Sequence, residues 1–389
     1  MNYTKNNEKC LYFGVSRIML VYEFHGLRTY LETIGYAVER RPFSCKRWEV
    51  GESFLTIDNR KVLVQVSPYS EAYSGWSNAL IVSNLEELKN AECKDKILVL
   101  KDELTMEQLQ PKDYPFYYPD EHKELIQCLE KKKPCAIIAV TGRSTMSGLN
   151  PFPMIEDGNF RIPVCNISKK VFSDIEDDLL GKEIELTIAS SNESATAHQI
   201  IASKKAEDAK GTIVICAHMD SKYNTNGALD NASGVVTMLL AAAGIETNKY
   251  NMDIIPFNSE EYYDPRGELI YLEEISNTRK DIALLINIDT VAYVGSKVAV
   301  ASFNFDDEEK QKQNDIMKEC KNIVEGEPWY AGDHAAFAFQ GTKCILVSAS
   351  DLFGECISNT HCPKDTIDLV DESLIKDAAD YICRIVNTY

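Results

Sequence analysis

Gly211 to His218, GTIVICAH, is the stretch on which the fold turns. A short apolar run rich in β-branched residues suits a strand buried on both faces, as in a parallel sheet, and this one ends on a histidine. Working outward, the polar loop MDSKYNTNGALDNASG leads into Val235 to Ile245 (VVTMLLAAAGI), rich in helix formers, with Ser233 or Asn231 as the expected N-cap. Met252 to Asn258 (MDIIPFN) reads as a second strand, ending at the pair Glu260 and Glu261, and Ile282 to Ile288 (IALLINI) as a third, ending at Asp289. This alternation predicts an α/β fold, and in such sheets ligands bind outside the carboxyl ends of the strands.

Three strand ends thus deliver His218, Glu260, Glu261 and Asp289 to one crevice, and Asp220, Asp230 and His361 lie in the intervening and following loops. Imidazole nitrogens and carboxylate oxygens form a ligand set for two divalent ions such as zinc, cobalt or manganese, provided one anionic ligand bridges them. Asp230 is assigned as the bridge. One ion then takes His218 and Asp289, the other Glu261 and His361, with room for a water or hydroxide between ions roughly 3.5 to 4 Å apart. Glu260 is left over, and a spare carboxylate beside such a water is a general base. Asp220, two residues after His218, is expected to accept that histidine's other ring N–H, and Asp365 to do the same for His361.

Six strings carry a family resemblance: His218-Met-Asp-Ser221, Asp230-Asn-Ala-Ser-Gly234, Ser259-Glu-Glu261, Asn287-Ile-Asp-Thr290, Gly332-Asp-His-Ala-Ala-Phe337, and Thr360-His361 with Asp365-Thr366. In this order they resemble the co-catalytic dizinc exopeptidases of metallopeptidase family 28, clan MH, from about Gly211 to the C-terminus. The resemblance implies two zinc ions per chain, the ligand assignment above, Glu260 as base, an eight-stranded mixed sheet between helices, and a peptide substrate. One string departs: many members place a tyrosine before the last histidine, and here that position is Thr360. Tyr330, Tyr293, Asn359 or the second zinc remain as candidates for the oxyanion-stabilising group.

From Val62 to Thr187 the runs ALIVSN (79–84), KILVLKD (96–102), CAIIAVTG (135–142) and IPVCNIS (162–168) alternate with polar, helix-prone segments, and a helix is expected near Lys169 to Leu180. This order resembles a protease-associated domain. The expected organisation is residues 1–61 as the N-terminal part of the peptidase domain, 62–187 as the insert, and 188–389 as the catalytic domain, with strands at 47–57 and 183–202 in the peptidase sheet. Ile18, Leu20, Phe24, Leu27, Leu31 and Ile34 stand near helical spacing and predict an amphipathic helix.

The chain has 389 residues, 44% hydrophobic, with a formal net charge of −19. That charge argues against nucleic acid or an anionic membrane as partner. No signal-peptide pattern and no span long enough for a bilayer are found, which predicts a cytoplasmic protein. Its 12 cysteines are scattered and read as free thiols, with Cys356 and Cys362 able to pair only under oxidising conditions. His25, His122 and His198 read as structural, and His334, in Gly-Asp-His, as a packing or substrate-pocket residue. The predicted activity is an aminopeptidase acting on peptides with a free N-terminus. The rivals are a carboxypeptidase or dipeptidase, which would need Arg266, Lys222 or Lys343 for a carboxylate, a one-zinc glutaminyl cyclase, and a non-catalytic binding module.

Overall fold

The computed structural model describes residues 26–389 except 247, 263, 279 and 280. The chain divides into two compact units, one running from Ser44 to Ala197 and the other made of His198–Tyr389 with the described residues up to Phe43.

The second of these holds an eight-stranded mixed sheet. In chain order its strands are β1 (Ala37–Val50), β2 (Ser190–Lys204), β3 (Thr212–His218), β4 (Asn251–Phe257), β5 (Ile282–Ile288), β6 (Val298–Phe303), β7 (Ile323–Glu325) and β8 (Cys344–Ala349), and in space they run β1-β2-β4-β3-β5-β8-β6-β7. The four central strands are parallel, with His218 opposite Phe257 and Cys216 opposite Asn287. Their carboxyl ends therefore fall on one edge. All seven residues of β3 are buried, as its unbroken apolar run predicts.

Alternate residues of the strands face opposite layers. Ile213, Ile215, Ile286 and Ile288 face a cluster built from α1 (residues 26–33), which buries Leu27 and Leu31, α2 (Ser233–Gly244) and α5 (Glu372–Thr388). Ile18, Leu20, Phe24 and His25 lie outside the described residues. On the opposite face Phe257 meets Tyr271 of α3 (Arg266–Thr278) and Phe337 of the short helix Ala335–Ala338. The other long helix, α4 (Asp307–Glu319), opens with a capping box formed by Asp306 and Glu309. The result is the expected α/β sandwich, a mixed sheet between helices.

The Ser44–Ala197 unit has its own eight-stranded sheet, in the order 60–63, 54–57, 183–188, 73–82, 97–100, 136–141, 164–168, 65–66. The apolar runs at 79–84, 96–102, 135–142 and 162–168 form neighbouring strands of its parallel centre. The helix expected at 169–180 is two short ones, Lys169–Ser173 and Glu176–Leu179.

Strand assignment at the boundary differs from expectation. Phe54–Ile57 pairs with Arg60–Leu63 and with Glu183–Ile188 in this sheet, not in the sheet of the metal-type residues, and only Ser190–Lys204 of the second stretch joins the latter. The reason is local: Asp58 and Asn59 both adopt left-handed backbone (φ 48° and 64°), a two-residue turn that folds Phe54–Ile57 straight back on its successor.

Among the described residues no helix is long and apolar enough to cross a membrane. Cys356 and Cys362 are free thiols.

Candidate metal centre

His218 ends β3, Asp289 directly follows β5, and Glu260 and Glu261 follow β4 within four residues. Asp230 sits in the irregular turn before α2, and His361 in the loop after β8. The fold brings them together as two groups, each with ligand atoms close enough for one ion: His218, Asp230 and Asp289, and Asp230, Glu261 and His361. Asp230 belongs to both. Its Oδ1 lies 3.1 Å from His218 Nε2, and its Oδ2 lies 2.8 Å from His361 Nε2. Asp289 Oδ1 is 3.7 Å from the first imidazole, and Glu261 Oε2 is 3.4 Å from the second.

Strained backbone surrounds these groups. Ser259, Thr290 and His361 all have left-handed φ (75°, 51° and 55°), costly for side chains with a Cβ and typical of positions where the surrounding packing dictates conformation. The turn carrying Asp230 is held from two sides. The buried carboxylate of Asp365 accepts the N–H groups of Leu229 (2.6 Å) and Asp230 (3.1 Å). Asn231 donates to Ile288 O (2.9 Å) and accepts from Gly234 N and Thr290 N, joining the Asp230 turn to the strand end that carries Asp289.

Two supporting roles differ from the sequence expectation. The ring N–H of His218 is taken by the backbone carbonyl of Asp220 (Nδ1 to O, 3.1 Å), while the Asp220 carboxylate stands 3.9 Å away and instead accepts the N–H groups of Glu260 and Glu261 (3.2 and 3.1 Å). A carboxylate two residues beyond the histidine reaches across to the neighbouring strand end more easily than back over its own peptide. Asp365, expected beside the His361 ring, accepts the N–H groups of the Asp230 turn. Thr360 is buried and its hydroxyl donates to Ile357 O (3.3 Å), so it does not replace the missing tyrosine hydroxyl. His334 is fully buried, its Nε2 2.8 Å from Trp329 O, and burial lowers its pKa to about 4.

The electrostatics are those of a site built around extra positive charge. Burial favours neutral histidines, yet the charges of Glu260, Asp230 and Asp289 push His218 well above its ordinary pKa. Against the same burial penalty, Glu261 and Asp230 bring His361 to about 10. Burial would raise Asp230, but the two imidazoles hold it well below the usual carboxylate range. Burial lifts Glu261 to about 7 and Glu260 well above its ordinary value, with the histidines opposing in both cases. A single divalent cation in each group would screen these facing carboxylates, and the mixed imidazole and carboxylate donors are the set zinc takes. The residues therefore fit such ions.

Sequence reasoning missed Glu268, a carboxyl buried at 5% exposure in the first turn of α3. No spacing or string singles it out in the helical run that contains it. It also missed Asn231 as a tie between two ligand-bearing segments.

The description Peptidase family M28 matches residues 199–386. A curated relative from Mycobacterium tuberculosis, named "Probable lipoprotein aminopeptidase LpqL", is 27% identical over 135 residues, 34% of this chain and 27% of that protein. The match thus spans about a quarter of the relative's length. Among solved structures, the fold is similar to the aminopeptidase from Aneurinibacillus sp. strain AM-1 (TM-score 0.72, 18% identity, 94% of this chain and 87% of that one). It is likewise similar to the zinc aminopeptidase BSAP from Bacillus subtilis (TM-score 0.68, 20% identity, 93% and 86%). The strand-end ligand groups lie within the span, residues 199–386, that matches peptidase family M28.

Proposed function

We propose that the protein is an aminopeptidase that holds two zinc ions, one at His218, Asp230 and Asp289 and the other at Asp230, Glu261 and His361. The observation that carries this reading is Asp230, which turns one carboxylate oxygen toward each histidine. Zinc at these groups would supply Lewis-acid polarisation of a scissile carbonyl and lower the pKa of water at neutral pH. Glu260, coordinated in neither group and fixed through its backbone N–H by Asp220, takes the proton from the attacking water and passes it to the departing amine nitrogen. The carboxylates around the centre offer the substrate's N-terminal ammonium an attractive environment.

A carboxypeptidase needs a cation for the substrate carboxylate. Of the three that the sequence offered, Arg266 pairs with Asp264 and Lys343 with Glu309, while Lys222, beside the centre, is engaged with Glu261 O and lies over the Tyr262 ring. We further read residues 62–187, within the Ser44–Ala197 unit, as a protease-associated-like insert, supported by that unit's separate sheet and by the place of 62–187 in the chain between strands of the catalytic sheet. The free thiols support a reducing, cytoplasmic compartment, and a Cys356–Cys362 disulfide in protein from its native cells would overturn that.

The test is metal analysis of chelator-free protein together with hydrolysis of aminoacyl amides by wild type and Glu260→Gln. Two zinc ions per chain, and a loss of turnover of about 10²- to 10⁴-fold in a variant that keeps both, is the expected result. One zinc or none, with no turnover of N-terminally free peptides, would refute it.

A further inference from the structure

The loop after His218, residues 220–226 (DSKYNTN), contains one large apolar side chain, Tyr223, and that side chain is 55% exposed. Burial of apolar surface therefore contributes little to holding a loop that runs from His218 to the turn carrying Asp230. Polar contacts with the segment after β4 hold it instead, residue against residue. The Asp220 carboxylate accepts the N–H groups of Glu260 and Glu261 (3.2 and 3.1 Å). The N–H of Lys222 donates to Glu261 Oε1 (3.2 Å), and that of Tyr223 donates to the Tyr262 hydroxyl. The Lys222 side chain bends the same way: its ammonium donates to the carbonyl of Glu261 and lies over the Tyr262 ring, 4.3 Å from its centroid. At its far end the loop closes on its own start. Gly227 has left-handed backbone (φ 62°), and an added Cβ there would lie 2.8 Å from Ser221 Cβ and 3.0 Å from Asp230 O.

We propose that Lys222 is a positioning residue of the metal centre: its ammonium, clasped between the Glu261 carbonyl and the Tyr262 ring, fixes the backbone N–H that holds Glu261 Oε1, and so keeps Oε2 turned toward His361. The inference rests on the two-ion reading of Asp230, Glu261 and His361. A glutamate side chain has three rotatable bonds, and an oxygen held by a fixed donor removes most of that freedom. With Oε1 taken by Lys222 N–H, Oε2 is the oxygen left facing His361 Nε2, 3.4 Å away. The donor itself is fixed only while Lys222 stays in place. A charged donor on a carbonyl is stronger than a neutral one, and the ring face adds an attraction that a neutral side chain lacks. Methionine at 222 would fill the stem's volume and offer neither; arginine would keep both.

The experiment compares wild type with Lys222→Met, Lys222→Arg and Tyr262→Leu. Backbone hydrogen exchange across 220–227 and 260–262 in metal-free protein reads the clasp itself. Stepwise competition of zinc against a chromophoric chelator, with visible spectra after one and two equivalents of cobalt, reads its effect on Glu261. In Lys222→Met and Tyr262→Leu, exchange in both segments should quicken about tenfold. One of the two zinc equivalents should weaken by roughly 10- to 100-fold while the other keeps its affinity, and the cobalt spectrum should change for that equivalent alone. Lys222→Arg should stay close to wild type in all three readouts. Unchanged exchange and zinc affinity in Lys222→Met, equal weakening of both equivalents, or a Lys222→Arg protein that behaves as Lys222→Met would overturn the proposal. Wild type that takes up fewer than two zinc ions would bring down the two-ion reading itself, and the inference with it. If Lys222→Met does not fold, Tyr262→Leu and Lys222→Arg decide the matter, and none of these readouts depends on turnover.

Discussion

Replacing Gly234 by alanine tests how the Asp230 turn is held. A Cβ at this position would lie 2.1 Å from Asn231 Oδ1, 2.8 Å from Asn231 Cγ and 2.7 Å from Ile288 O. None of these is a loose side-chain tip. Asn231 Oδ1 accepts from Gly234 N and Thr290 N, and its amide donates to Ile288 O. Relief of the clash must move the residue after Asp230 or the residue before Asp289. Overpacking of this kind costs about 1–3 kcal/mol. Loss of two buried hydrogen bonds adds roughly 1 kcal/mol each, and the better helix propensity of alanine returns about 1 kcal/mol. The net loss is about 2–4 kcal/mol, with zinc affinity down roughly 10- to 100-fold, as for other disturbed outer-shell partners. The assay is urea unfolding of metal-free protein beside competition of zinc against a chromophoric chelator. Gly244→Ala, in the same helix, is the control, because its Cβ would meet only the Cys383 sulfur at 2.9 Å, which can rotate away. A Gly234→Ala protein as stable as that control, with wild-type zinc affinity, would refute the claim that the glycine joins the two ligand-bearing segments.

Asp365→Ala, which removes the acceptor for Leu229 N and Asp230 N, should weaken zinc binding by roughly 10- to 100-fold, whereas Asp365→Asn, which keeps an oxygen there, should cost less; equal losses would argue against the hydrogen-bond account. Because the carboxylates hold His218 and His361 protonated above neutrality in the metal-free site, zinc uptake at pH 7 should release protons, about one per histidine, measured by calorimetry in buffers of different ionisation heat; uptake without release would show those imidazoles already neutral. Neutralising Lys222, Arg266 or Lys343 singly should leave unchanged the ratio of KM values for a peptide acid and its amide, and a selective rise for the acid would return the carboxypeptidase reading.

Much of the centre was legible because its chemistry is local. His218, Asp289 and the Glu260–Glu261 pair each follow an apolar run whose length and β-branching mark a buried parallel strand, and parallel strands in one sheet put their carboxyl ends on one edge. The helices and strands of the Ser44–Ala197 unit were readable for the same reason. Partner choice was not. Phe54–Ile57 has a strand's composition, but which sheet it joins depends on a two-residue turn and on the edge that happens to be nearby, and nothing in the run itself encodes either.

The sequence by itself determined the residue types of the centre, their order and the strand ends that carry them, since burial and backbone alternation act over a few residues at a time. Only the tertiary structure decided that Asp230 offers one oxygen to each histidine and that the Asp220 carboxylate holds the Glu260–Glu261 backbone instead of an imidazole. Those contacts join residues 12 to 131 positions apart, and they depend on how tightly the glycines at 234 and 267 let backbone approach backbone, a property of packing that no spacing along the chain displays.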